Sequence, residues 1–127
     1  MRHLAALILA AAPCAFAAEA TPSLSADEIR AVVVGRSLAF PVNRNGIAAT
    51  LVVDADGTGS ALLHNLRNQK HAPTGHALHW RITEQNLLCT RIENVQPREF
   101  CSSLRRNADG SYSRIRGERV YSTFSTT

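Results

Sequence analysis

The sequence predicts a mainly β protein: a small antiparallel β-barrel or sandwich of about eight strands, with one N-terminal helix and one cross-strand disulfide. Three observations carry this. Beyond residue 35 apolar residues recur with period two in short runs. Turn-forming pairs punctuate those runs. Two cysteines, Cys89 and Cys101, remain once a leader is set aside. The chain has 127 residues, 45% of them hydrophobic and 19% charged. That suits one folded domain over 25–127 and excludes an enzyme with a separate cofactor domain.

Residues 1–17 read as a secretory signal peptide. Arg2 and His3 form a basic start, Leu4 to Ala12 is an unbroken apolar run, and Ala15-Phe16-Ala17 is a small-x-small cleavage pattern. Pro13 and Ala11 ahead of Cys14 disfavour a lipid anchor at that cysteine. The expected location is periplasmic or secreted. No second apolar stretch is long enough to span a bilayer, so no transmembrane segment is expected in the mature chain. Residues 18–24 read as a linker. Losing Arg2 leaves 13 basic and 10 acidic residues, a formal +3, and only Lys70 among the bases is not arginine. An exported domain of such modest charge is a poor partner for nucleic acid.

Ser25-Ala26-Asp27-Glu28 is a capping box. Ile29, Val32 and Val33 make the stripe of a short helix, and Gly35 is a natural stop. Strands are expected near 36–42, 46–54, 58–66, 76–83, 86–92, 98–107, 111–117 and 119–125. Asp56-Gly57 and Asp109-Gly110 read as two-residue type I′ turns. A two-residue turn at 109–110 sets Leu104 opposite Ile115 and Arg105 opposite Arg114. Pairing Cys89 with Cys101 sets Leu88 opposite Ser102 and Arg91 opposite Glu99, and puts the disulfide outside the sheet. Trp80 is the expected core anchor, with Leu78 and Ile82 on the same inner face.

The order of these pieces carries a resemblance. The capped helix Leu24–Ile29 ending in Gly35, the Trp80-Arg81-Ile82 strand, Leu88-Cys89, Phe100-Cys101 and the Tyr112 strand together resemble a broad group of small secreted proteobacterial proteins of uncharacterised function. The resemblance implies a periplasmic antiparallel β-protein. It carries no reaction, and residues 64–76 match nothing in it.

Few residues point to chemistry. His64, His71, His76 and His79 fall close together and imidazoles bind zinc or copper. But residues three apart on a strand face opposite sides, and no cysteine or paired carboxylate completes a known ligand spacing. His64 is placed on an inner face. Asp54-Ala55-Asp56-Gly57 resembles the start of a calcium loop, yet Asn65 stands where the bidentate carboxylate belongs. No Gly-x-Ser-x-Gly elbow occurs, and paired cysteines offer no thiolate. No cofactor and no catalytic residue are nominated, and an enzyme is disfavoured. Arg105, Arg106, Arg114, Arg116 and Arg119 form a candidate anion-binding or partner patch on the outer face. The leading expectation is a non-enzymatic binding or inhibitory module of the envelope, meeting a protein, a glycan or a lipid headgroup. One alternative is a carrier of a small apolar ligand in a lipocalin-like barrel. The other is a metal-binding or hydrolytic protein using the His64–His79 region.

Overall fold

The computed structural model of the chain describes residues 22–68 and 72–127. The expected leader, residues 18–21 of the expected linker, and His71 lie outside the described residues. Among the described residues one helix and eight strands follow in order. They are α1 (Ala26–Val33), β1 (Ser37–Phe40), β2 (Ile47–Val53), β3 (Thr58–Asn65), β4 (Thr74–Ile82), β5 (Leu88–Ile92), β6 (Phe100–Arg106), β7 (Tyr112–Arg116) and β8 (Arg119–Thr126). Each strand pairs antiparallel with the next, and β8 returns to β1, so the sheet closes into a barrel and leaves no free edge. The closing seam is short, Leu38 opposite Thr126 and Ala39 opposite Ser125.

Period-two alternation explains the interior. Leu38, Leu51, Val53, Ala61, Leu78, Trp80, Leu88, Leu104 and Phe124 all point inward and are buried. Phe124 is the largest fully buried side chain, with its ring 5.6 Å from Tyr112 and 5.1 Å from Phe40. Trp80 is the expected anchor, and its indole N–H is shared between Asp54 O at 2.8 Å and Thr58 O at 3.0 Å. Those bonds satisfy a polar group that burial would otherwise leave costly.

The capping box forms as expected. Ser25 Oγ accepts from the Glu28 N–H, and Glu28 Oε1 accepts from the Ser25 N–H. Ile29 and Val33 are fully buried. Three bonds tie the segment across one barrel end: Leu24 N–H to Leu104 O, Ala26 N–H to Asn86 Oδ1, and Gly35 N–H to Val53 O. The β2–β3, β4–β5 and β6–β7 turns lie at that end, so α1 stops it.

The disulfide forms where the register demands it. Cys89 stands directly opposite Cys101, with Leu88 opposite Ser102, and the bridge lies on the outer face of the barrel. The expected Arg91–Glu99 ion pair is replaced by a diagonal one. Arg81, across from Cys89, donates to Glu99 through Nε at 2.8 Å and Nη2 at 3.1 Å. The ladder of β5 and β6 stops at Thr90 and Phe100, so Arg91, opposite His79 of β4, has no residue of β6 held opposite it.

The register of β6 and β7 departs from expectation by one residue. Asn107 N–H donates to Ser111 O and Gly110 N–H to Asn107 O, so residues 108–110 form a three-residue loop with Gly110 at φ +87°. This is a type I turn closed by a glycine bulge, not a two-residue type I′ turn. Asp109 Oδ1 holds it by accepting from the N–H and hydroxyl of Ser111. The extra residue sets Leu104 opposite Arg114 and Arg105 opposite Ser113. A slip of one residue sends every side chain to the other face. Ile115, expected inside, lies outside, and Arg114, expected outside, lies within the barrel.

Four carboxylates are held below the usual carboxylate range. The Ser25 backbone N–H does this for Glu28, the Thr58 hydroxyl for Asp56, the Arg81 guanidinium for Glu99 and the Ser111 hydroxyl for Asp109. Each folded pKa lies below its unfolded value. The stability these groups contribute is therefore complete above the unfolded value and is lost as pH falls through the lower folded one. The urea midpoint is expected to hold down to about pH 5 and to fall steadily below about pH 4. A pH series of urea melts checks this.

Candidate functional site

Arg114 enters the barrel from the middle of β7 and is only 5% exposed. Its guanidinium spans β6 to reach β5. Nε donates to Ser102 Oγ at 2.7 Å and Nη1 to Thr90 Oγ1 at 2.9 Å. Nη2 donates to Leu88 O at 3.0 Å and to Phe100 O at 3.1 Å. The group also lies over the Phe100 ring, 4.7 Å from its centroid. Ser102 and Thr90 are themselves buried. Every acceptor is neutral. Among the described residues Arg81 forms an ion pair with Glu99 and His79 is hydrogen-bonded to Glu93, both outside the barrel. Burial pushes the Arg114 pKa down to about 10, the cost of holding a cation where water is excluded.

Arg114 and Thr90 belong to the floor of a cavity of about 590 Å³. Its walls are apolar: Phe40, Ala49, Leu51, Leu63, Ile92 and Phe100. Its upper lining comes from Val42 and Asn43 after β1, Val95 and Gln96 after β5, and Tyr121 and Ser122 of β8. The cavity thus occupies the half of the barrel away from α1. The helix, Trp80, Leu88, Leu104 and Phe124 fill the other half. Eight strands enclose just enough room either to pack solid or to hold one small ligand, and here each option takes one half.

The rim is unusual in composition. Val42, Leu66, Val95, Val120 and Tyr121 are large apolar residues left exposed, and all lie on loops or strand ends at this barrel end. Arg44, Arg67, Arg98, Arg116 and Arg119 lie there too. Arg67 is fixed by donating to Arg44 O. The opposite end carries Asp27, Glu28, Asp54, Asp56, Glu84 and Asp109. Both ends are mixed, since Glu93, Glu99 and Glu118 also lie at the cavity end and Arg30, Arg36, Arg105 and Arg106 at the stoppered end, which leaves a modest basic excess at the cavity end.

The five arginines read from the sequence as one outer patch are separated. Arg114 is inside. Arg116 stands opposite Arg119 at the tip of β7 and β8, with its guanidinium 5.8 Å from the Phe100 ring. Arg105 and Arg106 lie at the far end of β6, beside Ser113 and Tyr112. The like-charge confrontation expected between Arg105 and Arg114 falls instead on Arg116 and Arg119. Arg119 also lies over the Tyr121 ring, at 5.2 Å.

The histidines are not brought together. His79 faces outward and pairs with Glu93 at 3.1 Å, while His76 meets the Thr74 hydroxyl at 3.0 Å. His64, expected on an inner face, sits between Leu63, which lines the cavity, and exposed Asn65, so alternation turns it outward. Among the described residues one group of three metal-ligating side chains is close enough to share an ion: Cys89, Glu99 and Cys101. Both of its sulfurs are committed to the disulfide. The Asp54–Thr58 segment is a hairpin turn closed by Asp54 N–H to Thr58 O, with residues 55–57 as a three-residue loop and not the two-residue type I′ turn expected at Asp56-Gly57.

Sequence reasoning missed the floor of the cavity. The signal was present: Thr90 and Ser102 interrupt the inner faces Leu88-Thr90-Ile92 and Phe100-Ser102-Leu104. Two hydroxyls on neighbouring inner faces need a buried donor, and a long side chain from the next strand can supply one. Compared with protein-family models, with curated proteins and with solved structures, the chain matches none.

Proposed function

We propose that the protein is an exported carrier that holds one small, largely apolar ligand in the cavity half of its barrel. The observation that carries this is the division of the interior: one half packed solid under α1, the other hollow with apolar walls. A cavity of about 590 Å³ is within the usual size range of small-molecule sites. The exposed apolar rim supports the same reading, because it gives such a ligand a path that is not wholly aqueous. Export is supported by the leader-like residues 1–17 and by the disulfide, which needs an oxidising compartment to persist. Among the described residues no helix is long and apolar enough to cross a membrane. A periplasmic location follows the resemblance read from the sequence. The competing idea of an outer arginine patch for a partner protein loses Arg114 to the interior.

The test uses N-phenyl-1-naphthylamine, a neutral fluorophore that brightens in apolar surroundings. The oxidised protein is expected to bind it at a single site. Ala49→Trp, which places a large ring in the cavity, is expected to weaken that binding by at least about tenfold with the far-ultraviolet spectrum unchanged. Absence of binding to the unaltered protein, or equal binding by a folded Ala49→Trp variant, would overturn the carrier reading.

A further inference from the structure

We propose that the carried ligand is an amphiphile with a single oxyanionic head group, bound head-down with the head on Arg114 and the chain directed to the rim. This rests on the carrier reading and adds the chemistry of the ligand to it.

Arg114 is left with an imbalance between hydrogen bonding and charge. A guanidinium has five N–H groups, and four of the Arg114 hydrogens meet protein acceptors. Those acceptors are two hydroxyls and two carbonyls, so hydrogen bonding is nearly met while charge is not. A buried cation without an anion is unfavourable, and interiors usually pair or neutralise such groups. Arginine keeps its proton even with its pKa lowered by burial. The cavity therefore has a fixed positive charge at its floor and apolar side chains on its walls. A neutral apolar ligand would satisfy the walls and leave the charge as it was. An oxyanion at the floor accepts the remaining Nη1 hydrogen and neutralises the charge in a site of low dielectric, where both effects are largest.

The four bonds also fix the guanidinium. Tied to β5 and β6 on two edges, it presents itself to the cavity without losing rotamer freedom on binding, which favours affinity. Thr90 lies beside it as a second polar group of the floor. At the rim Arg44, Arg67, Arg98, Arg116 and Arg119 outnumber the carboxylates Glu93, Glu99 and Glu118 of the same end, a modest bias in the same direction. A carboxylate and a phosphate monoester share this chemistry. The walls decide for one chain, because one narrow half-barrel offers a single apolar lumen.

The experiment displaces N-phenyl-1-naphthylamine from the oxidised full chain with dodecanoate, dodecyl phosphate, dodecanol and dodecyltrimethylammonium at pH 7. The anions are expected to displace the probe at concentrations at least about tenfold lower than dodecanol, the effect of one charge-assisted hydrogen bond. The cationic amphiphile is expected to be weaker than dodecanol. The better of the two anions identifies the head group. In Arg114→Met the ratio of the dodecanol and dodecanoate concentrations that displace the probe is expected to fall to about one, whatever that variant's own affinity for the probe. Equal displacement by dodecanoate, dodecyl phosphate and dodecanol would overturn the proposal while leaving the carrier reading intact. So would an undiminished preference in Arg114→Met, which would place recognition at the rim arginines. Should that variant not fold, the unaltered protein supplies the test. The Arg114 Nε–H resonance is expected to shift with dodecanoate and not with dodecanol, and an unmoved resonance under saturating dodecanoate would overturn the proposal.

Discussion

Phe124→Ala is expected to lower the unfolding free energy by about 3–5 kcal/mol, the range for emptying a buried aromatic site. Phe124 is 1% exposed, lies against Tyr112 and Phe40, and belongs to β8, the strand that closes the barrel. The β8–β1 seam is joined at Leu38–Thr126 and Ala39–Ser125. Side-chain packing beneath it must supply much of what the short ladder does not. A domain of this size has about 5–15 kcal/mol in total, so the loss is a large fraction of it. Urea denaturation followed by far-ultraviolet circular dichroism measures the change. A shift below about 1 kcal/mol would mean that Phe124 is not a closing residue of the core.

Removing the disulfide is the second large effect. Cys89→Ala with Cys101→Ala is expected to cost about 3 kcal/mol, from the chain entropy of the short loop between them. The barrel should survive, because the register of β5 and β6 is also held by Leu88–Ser102 and Thr90–Phe100. The intact protein should weigh two hydrogens less than its reduced form. The same melts in a strong reductant should reproduce the double variant's midpoint. An unchanged midpoint in the double variant would show that the bridge adds nothing to stability.

Most of the fold was legible because period-two alternation is a direct image of a sheet with one buried face. Each of the eight expected strands has its counterpart, the capped helix is where Ser25 and Glu28 indicated, and the disulfide joins Cys89 to Cys101. Barrel or sandwich was left open, since closure depends on pairing β1 with β8, and no local pattern records that. The site was hidden by one ambiguous turn. Asp-Gly belongs to two-residue hairpins and also to three-residue ones, where it fills the last two loop positions. What separates them here is the residue after glycine: Thr58 and Ser111 each hand a hydroxyl and an N–H to the aspartate before the glycine. The strand itself offered no correction, because Tyr112 and Ile115 put one apolar residue on each face of β7. An arginine among such residues is read as solvent-facing by default, and its hydroxyl partners lie on strands distant in sequence.

The same ambiguity explains why the expected outer patch dissolved. Five arginines within fifteen residues look like one surface when read along the chain. The barrel sends Arg105 and Arg106 to one end, Arg116 and Arg119 to the other, and Arg114 to the interior. The modest excess of arginine over carboxylate at the cavity end is visible only once the hairpin loops are sorted by barrel end.

The placement of Arg114 underlies the whole functional account, and a nuclear Overhauser experiment on nitrogen-15-labelled, oxidised protein tests it most directly. Cross-strand contacts are expected between Leu104 and Arg114 and between Arg105 and Ser113. A slowly exchanging Arg114 Nε–H with contacts to Ser102 and Thr90 is expected with them. Contacts pairing Arg105 with Arg114 and Leu104 with Ile115, together with an Nε–H that exchanges freely with water, would put the arginine outside the barrel and contradict the account.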